Sequence, residues 1–181
     1  MKKLYVVGNK VSKSLSPTIF NYWFKKYNIK ASYGYLELTE KNFHKKIKEV
    51  LEKKDTFGLN VTIPFKNKII KHLGKIDAHA KKIGAVNCVT NKKTINGTNT
   101  DWTGYYKTLP NIKKTKNRKV IILGYGGASH AIHYVLKKRG FKDILIFNRS
   151  KKKIKYSNKI EYTKTYSDLE THLDGVFLII N

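Results

Sequence analysis

Acidic residues are scarce in this chain: 12 Asp and Glu stand against 38 Lys and Arg in 181 residues, a formal charge of +26. Arginine is scarcer still, at Arg118, Arg139 and Arg149 alone. Such a basic balance invites a nucleic-acid reading, but base recognition leans on arginine's bidentate fork. The lysines are spread along every segment, as fillers of solvated faces are. No specific nucleic-acid binding is expected, only weak attraction to polyanions at low salt. Cys88 is the single cysteine, which excludes an intramolecular disulfide and a cysteine-built zinc site. No apolar run approaches a membrane span, and the apolar stretch in MKKLYVVGNK is too short for a signal peptide. These absences point to a soluble, cytoplasmic protein with no membrane partner. His130 and His133 share a helix face without a carboxylate to complete a metal site. They are expected to be surface or partly buried residues, and no metal is expected.

What is there suits a folded α/β protein. Hydrophobic residues make up 40% and aromatics 12%, enough for one or two real cores. Leu4–Gly8, Ser32–Leu38 and Phe57–Ile63 read as strands. Ser16-Pro17 reads as a helix start, with Ser at the N-cap and Pro at N1. Ile19, Phe20, Trp23, Phe24 and Tyr27 follow at helical spacing, as do Phe43, Ile47, Val50 and Leu51. Lys66–Leu73 predicts a short helix, and Val86–Gly97 a hairpin around Asn91-Lys92-Lys93. The polar, basic segment 111–118 after Pro110 reads as a linker between a domain of residues 1–110 and one of residues 119–181. Residues 119–150 form a strand–turn–helix–strand unit, hence a parallel sheet. Its helix face is Ala128, Ala131, Ile132, Val135 and Leu136, and Gly140 stops it.

Gly124-Tyr125-Gly126-Gly127-Ala128 lies between strand and helix, where a dinucleotide pyrophosphate is bound. Ser129 stands in place of the third glycine, so the match is partial, and a tight turn without ligand is the plainer alternative. At the end of the next strand an NAD site usually places Asp or Glu. Here Asn148-Arg149-Ser150 is followed by lysines, which suits a 2′-phosphate and favours NADP(H) over NAD.

Four polar stretches lie in the first half. Ser14 and Ser16 sit at a strand-to-helix turn and could hold a carboxylate; capping is the alternative for Ser16. Asn60 and Thr62 share one face of a strand, with Thr62 near its C-terminal end. Gly84-Ala85-Val86-Asn87 brings an amide to the start of another strand. Asn99-Thr100-Asp101 brings a carboxylate to the end of another strand, where Asp101 could equally be the N-cap of a helix over Trp102–Leu109. Lys66 could exchange a proton with a carbonyl oxygen being reduced, with an aspartate to hold it. The set suits a small, polyhydroxylated carboxylic acid.

These motifs, GNKVSKSLSP (8–17), GLNVTIPFK (58–66), GAVN (84–87), GTNTD (97–101), GYGGA (124–128) and NRS (148–150), resemble shikimate dehydrogenase in order and across nearly the whole chain. The resemblance implies an α/β substrate-binding domain followed by a partial NADP-binding Rossmann-like domain. It implies NADPH-dependent reduction of 3-dehydroshikimate to shikimate in aromatic amino-acid biosynthesis. It assigns Lys66 and Asp101 as the catalytic pair, with Ser14, Ser16, Thr62 and Asn87 as further substrate contacts. It assigns Gly124, Tyr125, Gly126, Gly127 and Ala128 to the pyrophosphate, and Asn148, Arg149 and Ser150 to NADP selectivity. Monomer and homodimer are both open. Tyr125, Trp102 and Lys13 depart from the family's usual small residue, Gly and His.

The family continues beyond a strand like Gly175–Asn181, which would lie beside Lys119–Leu123 as an apolar edge. The expectation is therefore a fragment that is inactive or nearly so by itself. A quinate/shikimate dehydrogenase using NAD and a non-catalytic ligand-binding relative are the alternatives.

Overall fold

Val6 and Val7 close the run KKLYVVG and point to opposite faces of their strand, so each founds a separate apolar layer. In the computed structural model, which describes every residue except Asn111, Lys113, Lys114, Ser157 and Asn158, the chain divides into two compact units, Met1–Asn99 and Thr100–Asn181.

The first unit runs β1 (Lys2–Gly8), α1 (Ser16–Lys26), β2 (Ala31–Glu37), α2 (Phe43–Leu51) and β3 (Thr56–Val61). It continues through β4 (Lys75–Ile76), α3 (Ala78–Ile83), β5 (Cys88–Asn91) and β6 (Ile95–Thr98). The six strands form one sheet in the order β2-β1-β3-β5-β6-β4. β1 runs parallel to β2 and β3, while β5 runs antiparallel to β3 and β6. The C-terminal ends of β1, β3 and β6 and the start of β5 therefore share one edge. On one face Phe43, Ile47 and Leu51, four residues apart along α2, pack with Val7, Leu59, Val61 and Phe65. The Phe43 and Phe65 rings stack at 4.2 Å.

On the other face Phe20 and Phe24 of α1 pack against Val6, Val11 and Tyr33. Ile19, Trp23 and Tyr27, expected with them, form a second stripe that stays exposed. Asn21 fixes the choice of face by bonding the Tyr33 backbone through both its amide nitrogen and its oxygen. Ser16 is not the N-cap: Leu15 holds that place without a side-chain bond. The Ser16 hydroxyl instead accepts from Ser14 Oγ. The segment after Lys66 is a 3-10 helix, Lys68–His72, and the hairpin forms from β5 and β6 as expected.

The second unit contains α4 (Asp101–Thr108), β7 (Lys119–Leu123), α5 (Gly127–Lys138), β8 (Ile144–Asn148), β9 (Lys153–Tyr156), β10 (Lys159–Tyr162), β11 (Lys164–Thr165) and β12 (Val176–Ile180). Its main sheet, β11-β8-β7-β12, is parallel throughout; β9 and β10 pair separately. Gly140, at φ +88°, ends α5 as the sequence predicts, and Phe141 N–H returns to Leu136 O. β12 lies parallel to β7, with Phe177 and Ile179 exposed.

The division between units falls at Asn99/Thr100, ahead of the 111–118 segment that the sequence suggests as linker; residues 111, 113 and 114 lie outside the described residues. The physical reason is the packing of α4 on α5. Trp102 meets Tyr134 edge-on, and Arg139 stacks 3.8 Å over Tyr106 while donating to its carbonyl. His133 is neither at the surface nor only partly buried: it is 4% exposed, and burial pulls its pKa down to about 4.

Candidate functional site

The shared edge of the first sheet carries most of the polar residues picked out by the motifs. The loop after β1 returns close to the end of β3. A Cβ at Gly8 would lie 2.7 Å from Thr62 Cγ2 and 2.5 Å from Val11 Cγ1, so glycine is required there. Glu37, the last residue of β2, accepts the N–H groups of Val11 (2.9 Å) and Ser12 (3.1 Å). Those two bonds hold its carboxyl below the usual carboxylate range. The loop then turns at Ser14, whose Oγ donates to Ser16 Oγ at 3.2 Å and accepts the Ser16 N–H at 3.3 Å. The two hydroxyls are thus neighbours at the start of α1.

Thr62 follows β3 and donates its N–H to Val7 O at 2.8 Å; Phe65 N–H returns to Thr62 O at 2.9 Å. Phe65 is fully buried and anchors the turn that presents Lys66. Lys66 O accepts Val86 N–H (2.7 Å), Asn87 O accepts Val61 N–H (2.9 Å), and Asn87 N–H donates to Thr98 O (3.1 Å). Backbone bonds therefore lace Thr62, Lys66 and Asn87 into one edge, beside the loop of Ser14 and Ser16. Asn60 is fixed by the hydroxyl of buried Tyr33, which donates to its Oδ1 at 2.7 Å. Buried Asn99 donates to Ala85 O at 3.0 Å. Asp101 falls beyond the division, in the second unit. It is the first residue of α4, after Thr100 at the N-cap, where its carboxylate complements the helix dipole.

In the second unit the glycine turn links β7 to α5. Gly124 has φ +92°, and a Cβ built at Gly124 or Gly126 meets no atom within 4 Å. The backbone therefore borders open space at the start of a twelve-residue helix. The first-turn N–H groups of Gly127 and Ala128 have no intrahelical carbonyl to bond. Ser129 closes the turn, accepting Gly126 N–H at 2.6 Å and donating to Gly126 O at 2.8 Å. The missing third glycine is thus replaced by a local clasp. Tyr125 is buried, its ring stacked 4.3 Å from His130 and its hydroxyl pKa pushed up to about 12 by burial. This open, glycine-lined helix start fits a pyrophosphate.

Asn148 Oδ1 accepts Tyr125 N–H at 3.2 Å, tying the end of β8 to the turn. Arg149 and Ser150 follow it at the surface. Thr163 holds their backbone: its Oγ1 accepts Lys152 N–H at 2.9 Å and donates to Ser150 O at 3.3 Å. Thr163, Glu37 and Tyr33 escaped the sequence reading, because their partners lie 11 to 27 positions away and no local pattern marks them. Among the described residues, no group of three or more His, Cys, Asp or Glu is arranged to hold a metal, and no helix is long and apolar enough to cross a membrane.

Chemically, the first unit offers paired hydroxyls, an amide and an ammonium on one edge. The second offers a helix start and an arginine suited to phosphates. The family model for the shikimate dehydrogenase substrate binding domain matches residues 6–89. Shikimate dehydrogenase of Thermotoga petrophila is 37% identical over 82% of this chain and 55% of its own length, so the chain spans about half of that relative. Shikimate dehydrogenase (NADP(+)) of Clostridium botulinum is 37% identical over 97% of this chain and 69% of its own length. The crystal structure of shikimate dehydrogenase 1 from Peptoclostridium difficile superposes with a TM-score of 0.81 at 31% identity, covering 97% of this chain and 65% of that one. Motif order, two-unit fold and identity over more than two thirds of the botulinum relative agree: the chain belongs to the shikimate dehydrogenase family.

Proposed function

We propose that the protein interconverts 3-dehydroshikimate and shikimate with NADP(H). The observation that carries this reading is the lacing of Thr62, Lys66 and Asn87 into one sheet edge beside Ser14 and Ser16. The two serine hydroxyls suit the substrate carboxylate. Thr62 and Asn87 suit its ring hydroxyls. The Lys66 ammonium gives its proton to the carbonyl oxygen as that oxygen becomes a hydroxyl, and takes it back in the reverse direction. Asp101, the other member of the pair that the family resemblance assigns, would accept from a substrate hydroxyl. When bound, the dinucleotide supplies the hydride that reduces the carbonyl carbon. Gly124 to Ala128 receive its pyrophosphate, while Asn148, Arg149 and Ser150 favour the 2′-phosphate. The name of the botulinum relative, with NADP(+) as its cofactor, supports that choice.

The test is a comparison of initial rates in the native protein with 3-dehydroshikimate and 3-dehydroquinate, each with NADPH and NADH. The reading predicts the highest kcat/KM for 3-dehydroshikimate with NADPH. A preference for 3-dehydroquinate or NADH would contradict it.

A further inference from the structure

Tyr33 commits a buried hydroxyl to one side chain. It lies on β2, which is separated from β3 by β1. The residue is 4% exposed, and its ring stacks on Phe20 at 4.7 Å. Asn21 takes its backbone N–H and carbonyl, and its hydroxyl donates to Asn60 Oδ1 at 2.7 Å. Burial pushes the hydroxyl pKa up to about 12, so the group remains a donor at neutral pH.

That bond fixes which way the Asn60 amide faces. A buried O–H needs an acceptor. Turned over, the amide would set its NH2 against the hydroxyl and leave the O–H hydrogen unpaired. Oδ1 therefore faces Tyr33, and Nδ2 faces away from it. Nδ2 has no acceptor among the described residues, yet it is open to solvent: the sealed side-chain atoms without a partner are Thr56 Oγ1 and Arg139 Nε. Its neighbours across the sheet, Val6 on β1 and Cys88 on β5, offer no strong acceptor. Thr62 continues the ladder beyond β3 by donating to Val7 O, so strand alternation puts Asn60 on the face of Thr62.

Packing explains only half of this arrangement. Phe at position 33 and an apolar residue at 60 would fill the space without burying a polar group, and exchanging both partners of a buried bond in that way is close to neutral. What the pair adds is an amide donor held in one orientation beside Thr62.

We propose that Tyr33 is a positioning residue for the reaction: its hydroxyl locks the Asn60 amide so that Nδ2 donates to an oxygen of the bound substrate. The inference rests on the proposed function. Tyr33 itself touches no substrate. Without its hydroxyl the amide can turn over and set an acceptor against the substrate oxygen.

The test is a double-mutant cycle on shikimate binding, measured by calorimetry in the protein at its full natural length. Tyr33→Phe keeps the stacked ring and removes the hydroxyl; it should weaken binding about three- to tenfold, as loss of one hydrogen bond does. Asn60→Ala should weaken binding at least as much. In the Asn60→Ala background, Tyr33→Phe should cost less than about twofold, because the side chain it positions is gone. NADP+ binding should stay within about twofold in all three variants, which reports an intact fold. A Tyr33→Phe protein that binds shikimate as the wild type does, or losses that multiply in the double variant as a purely structural role would give, overturns the proposal and leaves the proposed function standing. A wild-type protein that binds no shikimate overturns the proposed function, and this inference falls with it.

Discussion

The carboxylate of Glu37 accepts the backbone N–H of Val11 at 2.9 Å, joining the end of β2 to the loop that carries Ser14 and Ser16. A charged acceptor for two backbone donors holds the loop on either side of the core contact made by Val11. Glu37→Ala should speed hydrogen exchange at Val11 and Ser12 and weaken shikimate binding by about tenfold, with a smaller effect on kcat. Because the folded pKa is depressed, the bonds are fully present above the ordinary glutamate pKa. They are lost as pH falls through the lowered value. Amide exchange at Val11 measured down a pH series checks this.

His133 gives the second unit a pH dependence of its own. Burial lowers its pKa from 6.5 to about 4, with the charges of Lys137 and His130 adding to the shift. The unfolded chain binds a proton near pH 6.5 that the folded chain refuses until about pH 4. Stability is therefore intact above pH 6.5 and falls as pH drops toward 4, by on the order of 3 kcal/mol across the window. Denaturant titrations at several pH values should show that slope, and His133→Phe should flatten it.

On the cofactor side, Arg149→Ala should weaken NADP+ binding by about 10- to 100-fold, as loss of a charge-assisted phosphate contact does, and leave NAD+ binding nearly unchanged. Thr163→Val, two bonds away, should weaken NADP+ binding by a smaller factor because it frees the backbone of Ser150 and Lys152. Titrating both dinucleotides into both variants separates contact from positioning. Equal losses for NAD+ and NADP+ in Arg149→Ala would remove the basis for the cofactor preference.

Phe43 and Phe65 are both fully buried and stacked, and Phe65 immediately precedes Lys66. Phe43→Ala should cost about 3–5 kcal/mol of stability. Conservative Phe43→Leu should cost less and still raise mobility in the Lys66 turn. Chemical denaturation with proton exchange at Phe65 and Lys66 measures both effects.

The sequence carries the fold wherever the signal is local. The α2 stripe of Phe43, Ile47 and Leu51, the hairpin of β5 and β6, and the GYGGA turn all take the form their spacing suggests. It fails where two local signals compete. Ile19, Trp23 and Tyr27 make as good a helical stripe as Phe20 and Phe24; the bonds of Asn21 to Tyr33, on a later strand, favour the second face and leave no local signal. Ser16 carries a cap signal, but Ser14 satisfies it differently. Among the candidate site residues, Thr62, Lys66 and Asn87 stand out because strand ends and turn residues mark them. Glu37 and Thr163 serve through distant partners and look like ordinary polar residues. The unit boundary was illegible for the same reason, since the packing of Trp102 on Tyr134 leaves no trace near position 100.

The central claim is that Lys66 moves the proton. Its most direct test is the rate of NADPH oxidation by 3-dehydroshikimate in the protein at its full natural length, with Lys66 and with Lys66→Ala, alongside shikimate binding to both. The account predicts turnover in the wild type and a loss of about 10²- to 10⁴-fold in kcat in the variant, with shikimate still bound. A variant that keeps the wild-type kcat, or a wild-type protein that binds shikimate and NADPH yet never reduces the ketone, would contradict it.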